Sequence, residues 1–119
     1  MRSETEGVGV SKYHNKKTEV DGILFDSKKE AKRYGELKLL QKAGVIKHLE
    51  LQPRFTLQPF FACDGNRYRK IEYVGDFAYI EGGRKVVEDV KGMFTDVYKI
   101  KKKLFLYQYG DEWELREIK

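Results

Sequence analysis

The chain has 119 residues, of which 40% are hydrophobic and 36% charged, and its formal net charge at pH 7 is +5. This length predicts one domain with a single core. One cysteine excludes an internal disulfide and any multi-cysteine zinc site, and two histidines argue against a histidine-rich metal site or a nuclease site of the HNH type. The basic balance favours a polyanionic partner, although many basic proteins bind no nucleic acid.

The sequence predicts neither a membrane span nor a signal peptide. No apolar run approaches the length of a membrane span, and the first ten residues lack the apolar segment of a signal peptide. We therefore expect a soluble, cytoplasmic protein with no membrane partner. Residues 1–11 are small, polar and glycine-containing, which predicts a flexible tail before one domain over residues 12–119.

The first part of the domain predicts a hairpin and then a helix. The dipeptide Asp21-Gly22 between apolar residues is typical of a two-residue type I′ turn, because both central positions of that turn need a positive φ. Ser27 and Glu30 form a capping-box pattern that begins a helix over about 28–43.

The rest of the chain predicts strands around a second helix. Pro53 and Pro59 indicate a bend or a sheet edge, and Tyr34, Tyr73 and Tyr79 are expected in the core. The core order is helix–strand–strand–strand–helix–strand, an α/β pattern. In order, the predicted elements are an extended segment 45–57, a hairpin bend 60–68, a strand 67–80, a strand 84–92, a helix from Thr95 or Asp96 to about Tyr109, and a last strand 112–118.

Two adjacent acids interrupt the strand "VVEDVKG". Side chains alternate along a strand, so Asp89 and Lys91 share one face, roughly 7 Å apart, while Glu88 points to the other. One interpretation is an ion pair near a solvated strand end. The other is a site that uses Asp89 and Lys91 and leaves Glu88 a structural role.

The preceding strand carries a further acid, Asp76, directly after Gly75 in an otherwise apolar run. Aspartate is poorly suited to strands, and glycine is tolerated where another group must approach closely. A hairpin through residues 81–83 would place the two strands side by side, so Asp76 could approach Asp89. Burying two carboxylates together is costly, and a divalent metal would remove that cost.

The third candidate acid is Glu30 on the first helix. At 100° per residue it falls within the arc of Ala31, Tyr34 and Leu37 that is expected to face the sheet. Its alternative role is to complete the capping box, and the two roles are not exclusive.

Three acids and a lysine in this pattern suit phosphodiester hydrolysis. The carboxylates of Glu30, Asp76 and Asp89 would hold Mg²⁺, which fits better than Zn²⁺ because the ligands are oxygens. The carbonyl of Val90 could add a ligand. Lys91 would position the attacking water or offset charge that develops on the phosphate.

The set resembles the PD-(D/E)xK nuclease superfamily, whose pattern is a helix glutamate, a strand aspartate and then acid-x-lysine on the adjacent strand. Glu30, Asp76, Asp89 and Lys91 take those places, while Gly75 stands where the superfamily's name has proline. The stretch "KYHNKKTEVDGILFDSKKEAKRYGELKLLQKAGVIKHLELQP", with "YVGDFAYI" and "VVEDVKG", looks like a family of small phage and prophage Holliday-junction resolvases or endonucleases. The likeness covers roughly residues 12–119.

This resemblance implies a restriction-endonuclease-like core, with a mixed central sheet flanked by helices and preceded by an N-terminal hairpin. It implies a Mg²⁺-dependent endodeoxyribonuclease, with Mn²⁺ able to substitute, that is selective for branched DNA such as Holliday junctions in phage recombination. It also implies a homodimer that cuts two strands in the cytoplasm of a bacterial host. The alternatives are a non-catalytic nucleic-acid-binding protein that retains the fold, and a nuclease acting on single strands or ends.

Basic residues supply candidate DNA contacts, although each could equally be solvated surface charge. On the second helix, the arc of Val97, Ile100, Leu104 and Tyr107 is expected to face the core, with Lys101 on the inward side. The candidate contacts are Lys12, Lys16, Lys17, Arg67, Arg69, Lys99, Lys101 and Lys102.

Overall fold

The computed structural model describes residues 17–91 and 93–119. The predicted tail over 1–11 and the candidate contacts Lys12 and Lys16 lie outside the described residues. The chain divides into two compact units, Met1–Leu39 and Leu40–Lys119, and each is described by itself. Among the described residues, no helix is long and apolar enough to cross a membrane.

The described part of the first unit begins with a short antiparallel hairpin of β1 (Thr18–Val20) and β2 (Ile23–Phe25). The two residues between the strands are Asp21, with φ 54°, and Gly22, with φ 76°. Both angles lie in the left-handed region that a type I′ turn requires, so the predicted hairpin is confirmed.

Helix α1 spans Lys28–Lys42, one residue short of the predicted end. The Ser27 hydroxyl accepts a hydrogen bond from the Glu30 amide at 3.1 Å, which confirms the N-cap. The Tyr34 ring packs on Phe25 with a centroid distance of 5.0 Å. Hairpin and helix therefore share a small core within the first unit.

The second unit contains a four-stranded mixed sheet, two small ribbons and a second helix. Its elements are β3 (Ile46–Leu51), β4 (Arg54–Gln58), β5 (Phe61–Cys63), β6 (Asn66–Tyr68), β7 (Ile71–Val74), β8 (Phe77–Glu81), β9 (Arg84–Val90), α2 (Asp96–Tyr109) and β10 (Trp113–Ile118). The sheet order is β10-β9-β8-β3, in which β10 is parallel to β9 and the other pairs are antiparallel. The ribbons pair β4 with β7 and β5 with β6. The predicted α/β class with two helices is confirmed.

Two of the predicted strands are broken into shorter ones. The segment 45–57 becomes β3 and β4, because Pro53 has no amide to donate and Gln52 takes a φ of 50°. The segment 67–80 becomes β6, β7 and β8. As a result, the middle of the chain leaves the central sheet, forms the two ribbons, and returns at β8.

Helix α2 begins as predicted, with the Thr95 hydroxyl accepting a hydrogen bond from the Tyr98 amide at 3.1 Å. The face that it buries was predicted wrongly. Tyr98 and Phe105 are the buried side chains, and they join Phe55, Tyr73 and other side chains in one aromatic-rich core. The predicted inward arc is exposed instead, at 62% for Val97, 61% for Ile100, 38% for Leu104 and 88% for Tyr107.

The helix carries two apolar stripes, which explains the error. Hydrophobic spacing alone cannot rank them, and the larger aromatic rings bury more surface per residue. The Phe105 ring meets Phe55 edge-on at 4.8 Å and Tyr73 at 5.0 Å. Lys101, predicted on the inward side, is half-buried.

Candidate functional site

Gly75 lies where the chain passes from β7 to β8 and comes very close to β9. A Cβ atom at this position would lie 2.6 Å from Val87 Cγ2 and 3.4 Å from both the Glu88 carbonyl and Pro53 Cγ. The predicted close approach is therefore real, and the approaching group is the neighbouring strand. The Gly75 amide also donates to the Pro53 carbonyl at 3.0 Å, which fixes the strand start.

Asp76, the next residue, is bound to β9 through both backbone and side chain. Its amide donates to the Glu88 carbonyl at 2.9 Å, and its carboxylate Oδ2 accepts from the Val90 amide at 2.6 Å. Phe77 pairs with Glu88 in the register of β8 and β9, so one step further along places Asp76 next to Asp89. The two predicted strand acids thus lie on adjacent strands, with Asp76 half-buried.

Asp89 is buried, with 4% of its surface exposed, and each of its carboxylate oxygens has a partner. Lys91 Nζ lies 3.0 Å from Oδ1, and the Tyr73 hydroxyl donates to Oδ2 at 2.6 Å. The ion pair confirms that Asp89 and Lys91 share a face. Burial, together with the hydrogen bond to Asp89 and its charge, raises the pKa of Tyr73 above its ordinary value of 10. Tyr73 therefore stays a donor to this carboxylate throughout the neutral range.

Lys91 lies between this carboxylate and an aromatic ring. Its Nζ is 3.9 Å from the centroid of Tyr98, a distance at which a cation is attracted to the ring face. The Tyr98 hydroxyl donates in turn to Glu117 at 2.7 Å, and Lys102 pairs with the same carboxylate oxygen at 3.0 Å. A chain of contacts thus connects Asp89 with Glu117.

Two members of this chain of contacts, Tyr98 and Glu117, have pKa values shifted from their ordinary ones. Burial raises the pKa of Tyr98 above 10, and its hydrogen bond to Glu117 and the charge of Asp89 raise it further. Burial also acts to raise the pKa of Glu117, but hydrogen bonds from Tyr98 and Lys102 and nearby lysine charge outweigh it, so the pKa lies below 4.5. Tyr98 is therefore protonated and Glu117 ionised at neutral pH.

Glu88 occupies the other face of β9 and is fully buried. Its carboxylate accepts a hydrogen bond from the Tyr79 hydroxyl, and the Arg116 guanidinium lies 3.4 Å from the same hydroxyl oxygen. The prediction that Glu88 points away from Asp89 is confirmed. Its hydrogen-bond donor Tyr79 lies on the neighbouring strand β8, as expected for a structural acid.

The register of β8 and β9 brings Asp76 and Asp89 next to each other in the second unit. Among the described residues, no group of three or more His, Cys, Asp and Glu side chains is arranged to hold a metal. Glu30 lies in the first unit, half-buried in the first turn of α1, so its part in the site stays a prediction. The same is true of the Val90 carbonyl as a ligand.

The basic candidates that the structure describes are spread over several elements. Lys17 pairs with Asp26 at 3.2 Å, and Lys102 is held by Glu117. The Arg67 guanidinium lies 5.8 Å from the centroid of Phe60. Arg69 and Lys99 are exposed, and Lys101 is half-buried. Their role as DNA contacts stays a prediction.

Three residues near the site were not predicted to act there: Tyr73, Tyr98 and Glu117. Tyr73 was placed in the core, and it is 2% exposed, but its hydroxyl role was missed. The available signal was chemical, because a buried tyrosine nearly always finds a hydrogen-bond partner. A tyrosine on a strand near an unexplained acid is therefore a candidate donor.

The fold and site define a mixed α/β protein with two carboxylates and a lysine on adjacent strands of one sheet. A family model described as "Protein of unknown function (DUF1064)" matches residues 10–119. The chain belongs to this family. No curated protein and no solved structure matches it.

Proposed function

We propose that the protein is a metal-dependent DNA endonuclease of the PD-(D/E)xK superfamily. The observation that carries the proposal is the grouping of Asp76, Asp89 and Lys91. Asp76 directly precedes β8, Asp89 is the penultimate residue of β9, and Lys91 Nζ lies 3.0 Å from the Asp89 carboxylate. An acid beside acid-x-lysine on the adjacent strand is the pattern of this superfamily, and it suits metal-dependent phosphodiester hydrolysis.

The order of elements supports the same proposal. When the two ribbons are set aside, the remaining elements run α1, β3, β8, β9, α2, β10 along the chain. This is the α-β-β-β-α-β order implied by the resemblance, with the hairpin β1–β2 before it. Both ribbons are inserted between the first and second strands of that order.

The donor chemistry fits a hard divalent cation. Mg²⁺ binds oxygen ligands, and it commonly uses one or two carboxylates and keeps several waters. Asp76 and Asp89 would hold it, with Glu30 and the Val90 carbonyl as further predicted ligands, and Mn²⁺ would substitute. When bound, such a cation polarises a phosphate and lowers the pKa of a water.

The chain's own side chains have separate parts in this proposal. The Tyr73 hydroxyl holds the Asp89 carboxylate in one orientation. Lys91 supplies a positive charge beside that carboxylate, where it orients a water or offsets charge on the phosphate. The Tyr98 ring limits where the Lys91 ammonium can lie. The Val90 amide fixes the Asp76 carboxylate.

Branched DNA and a homodimer belong to the proposal as well, along with a cytoplasmic location. Cutting two strands needs two active sites, which a dimer supplies. Helix α2 exposes Val97, Ile100, Leu104 and Tyr107, spaced three, four and three residues apart. This spacing is typical of a helix that packs against a second copy of itself, and it supports self-association.

The test offers purified protein a four-way junction, a flap, a linear duplex and a single strand, each with Mg²⁺ and with EDTA. We expect Mg²⁺-dependent cleavage that is fastest on the junction. Asp89→Asn should lower the cleavage rate about 100-fold or more, because a charge at the reacting centre is lost. Glu88→Gln is the matched control, since it changes the neighbouring acid on the opposite face and keeps an acceptor for Tyr79.

Three outcomes would contradict parts of the proposal. No cleavage of any substrate with Mg²⁺ or Mn²⁺ rules out the enzyme and favours a binding protein with this fold. Equal cleavage of all four DNAs removes junction selectivity but keeps the chemistry. Loss of cleavage in Glu88→Gln, with thermal unfolding and DNA affinity unchanged and Asp89→Asn active, would move the site to the other face of β9.

A further inference from the structure

The ribbon of β5 and β6 is exposed along its whole length. Its strands pair Phe61 with Tyr68 and Cys63 with Asn66 around an Asp64-Gly65 turn. Every residue from 59 to 71 is exposed. A two-stranded hairpin is marginally stable by itself, so a hairpin that contributes no buried side chain to a core calls for another explanation.

Its exposed side chains include three aromatic rings. Phe60 is 55% exposed, Phe61 43% and Tyr68 44%. The rings of Phe61 and Tyr68 stack with a centroid distance of 4.8 Å and an angle of 13° between their planes. The two rings therefore cover each other on one side and form a stacked pair, the aromatic platform, on one face of the hairpin. Clustered exposed aromatics generally mark a binding surface.

The charge on this segment has one dominant sign. Three cations, Arg67, Arg69 and Lys70, stand against one acid, Asp64, between residues 60 and 70. Arg67 lies over the Phe60 ring on the face opposite the platform. Aromatic faces beside arginine and lysine bind unpaired nucleobases, since the rings stack on the bases while the cations meet the phosphates.

We infer that the β5–β6 hairpin is a base-stacking element that binds unpaired bases of DNA. The inference rests on the proposed function, because that function identifies the nucleic acid as DNA. The hairpin would give the endonuclease its selectivity for branched DNA over a regular duplex. Gaps, flaps and strained branch points expose base faces that a regular duplex hides. The platform of Phe61 and Tyr68 would stack on those faces, and the positive charge of the segment would attract the phosphates of the same strand.

The first experiment needs no variant. The affinity of wild-type protein is measured in EDTA, which prevents cleavage, for two gapped duplexes. In one, the strand opposite the gap carries a few unpaired thymines, and in the other, the same positions are abasic. The two DNAs carry the same phosphates. Stacking of one base changes affinity by about 5- to 100-fold, so we expect the thymine gap to bind tighter by that factor. Equal affinity for both gaps overturns the inference.

The second experiment assigns the effect to the rings. Phe61→Leu with Tyr68→Leu keeps apolar side chains but removes the flat faces, and it should abolish the preference for bases. Phe61→Tyr with Tyr68→Phe exchanges the rings and should keep it. Leu39→Ala, at a 70% exposed apolar position on α1, is the surface control. 2-Aminopurine in the gap reports stacking directly, because its fluorescence falls when it stacks.

The outcomes separate this inference from the nuclease proposal. Base preference that depends on the rings, in a protein that cuts nothing, keeps the hairpin inference and removes the nuclease. Mg²⁺-dependent cutting, together with an unchanged base preference in the double leucine variant, keeps the nuclease and removes the hairpin inference. A double leucine variant that weakens binding to both gaps equally also overturns the inference, because the effect would then not concern bases.

Discussion

Strand β9 buries charged side chains, whereas the β5–β6 hairpin exposes aromatic ones. In β9, the residues from Val86 to Val90 are all buried, and two of them are carboxylic acids. In the segment 59–71, which contains the hairpin, the residues are all exposed, and three of them are aromatic. Each segment thus departs from the ordinary partition of apolar side chains inward and charged ones outward.

The two departures differ in how they are compensated. The buried acids are satisfied by partners, since tyrosine hydroxyls donate to both Glu88 and Asp89 and Lys91 pairs with the latter. Of the exposed rings, Phe61 and Tyr68 stack on each other, and Phe60 lies under the Arg67 guanidinium. The first region therefore depends on internal hydrogen bonds, whereas the second is the region for which we infer a partner outside the chain. Mutations should affect stability in β9 and its neighbours, and binding in the hairpin.

The largest expected effect comes from comparing two phenylalanines. Phe105→Ala opens a cavity in the core that covers β9, because Phe105 is fully buried, and should lower the free energy of unfolding by about 3–5 kcal/mol. Phe61→Ala removes one cross-strand stack and should cost about 1 kcal/mol or less. Urea unfolding measures both. Similar losses in the two variants would show that the hairpin is part of the core.

A smaller effect is expected from two tyrosines. Tyr73→Phe removes the donor to the buried Asp89 carboxylate and should cost about 1–3 kcal/mol. Tyr68→Phe makes the same change on the exposed hairpin, and the free energy of unfolding should stay within about 0.5 kcal/mol of the wild type. Thermal unfolding at pH 7 tests the pair. A stable Tyr73→Phe would mean that Asp89 does not need this hydrogen bond.

The smallest expected effect is a change in how the free energy of unfolding depends on pH. The pKa of Glu117 is lowered in the folded protein, so its stabilisation is present above pH 4.5 and is lost as the pH falls through the folded value. Tyr98→Phe removes one cause of that shift. We expect the variant to be less stable by about 1 kcal/mol at pH 7, and the difference from the wild type to shrink below pH 4.5. Tyr107→Phe, on the exposed side of the same helix, is the control, and a difference that does not vary with pH would contradict this explanation.

Local signals in the sequence predicted the local features of the fold. The Asp21-Gly22 turn and the caps Ser27 and Thr95 were confirmed, because each depends on residues within one turn of the chain. Strand alternation also placed Asp89 and Lys91 on one face. That rule is geometric and holds wherever the strand lies in the fold.

Features set by distant packing were not predictable in this way. The buried face of α2 depends on Phe55 and Tyr73, which are far away in the sequence. The hydroxyl of Tyr73 could not be assigned to Asp89 before β7 was known to pass near β9. The break at residues 75–76 also required tertiary context, because it depends on which strand lies alongside.

The single cysteine of the chain has a practical consequence. Cys63 is exposed on β5, two residues from Phe61 and on the same strand face, next to the hairpin turn. A thiol-reactive fluorophore or spin label would therefore attach at one place, with no cysteine to remove elsewhere. The native protein carries its own attachment point for spectroscopy, beside the rings whose contacts most need to be observed.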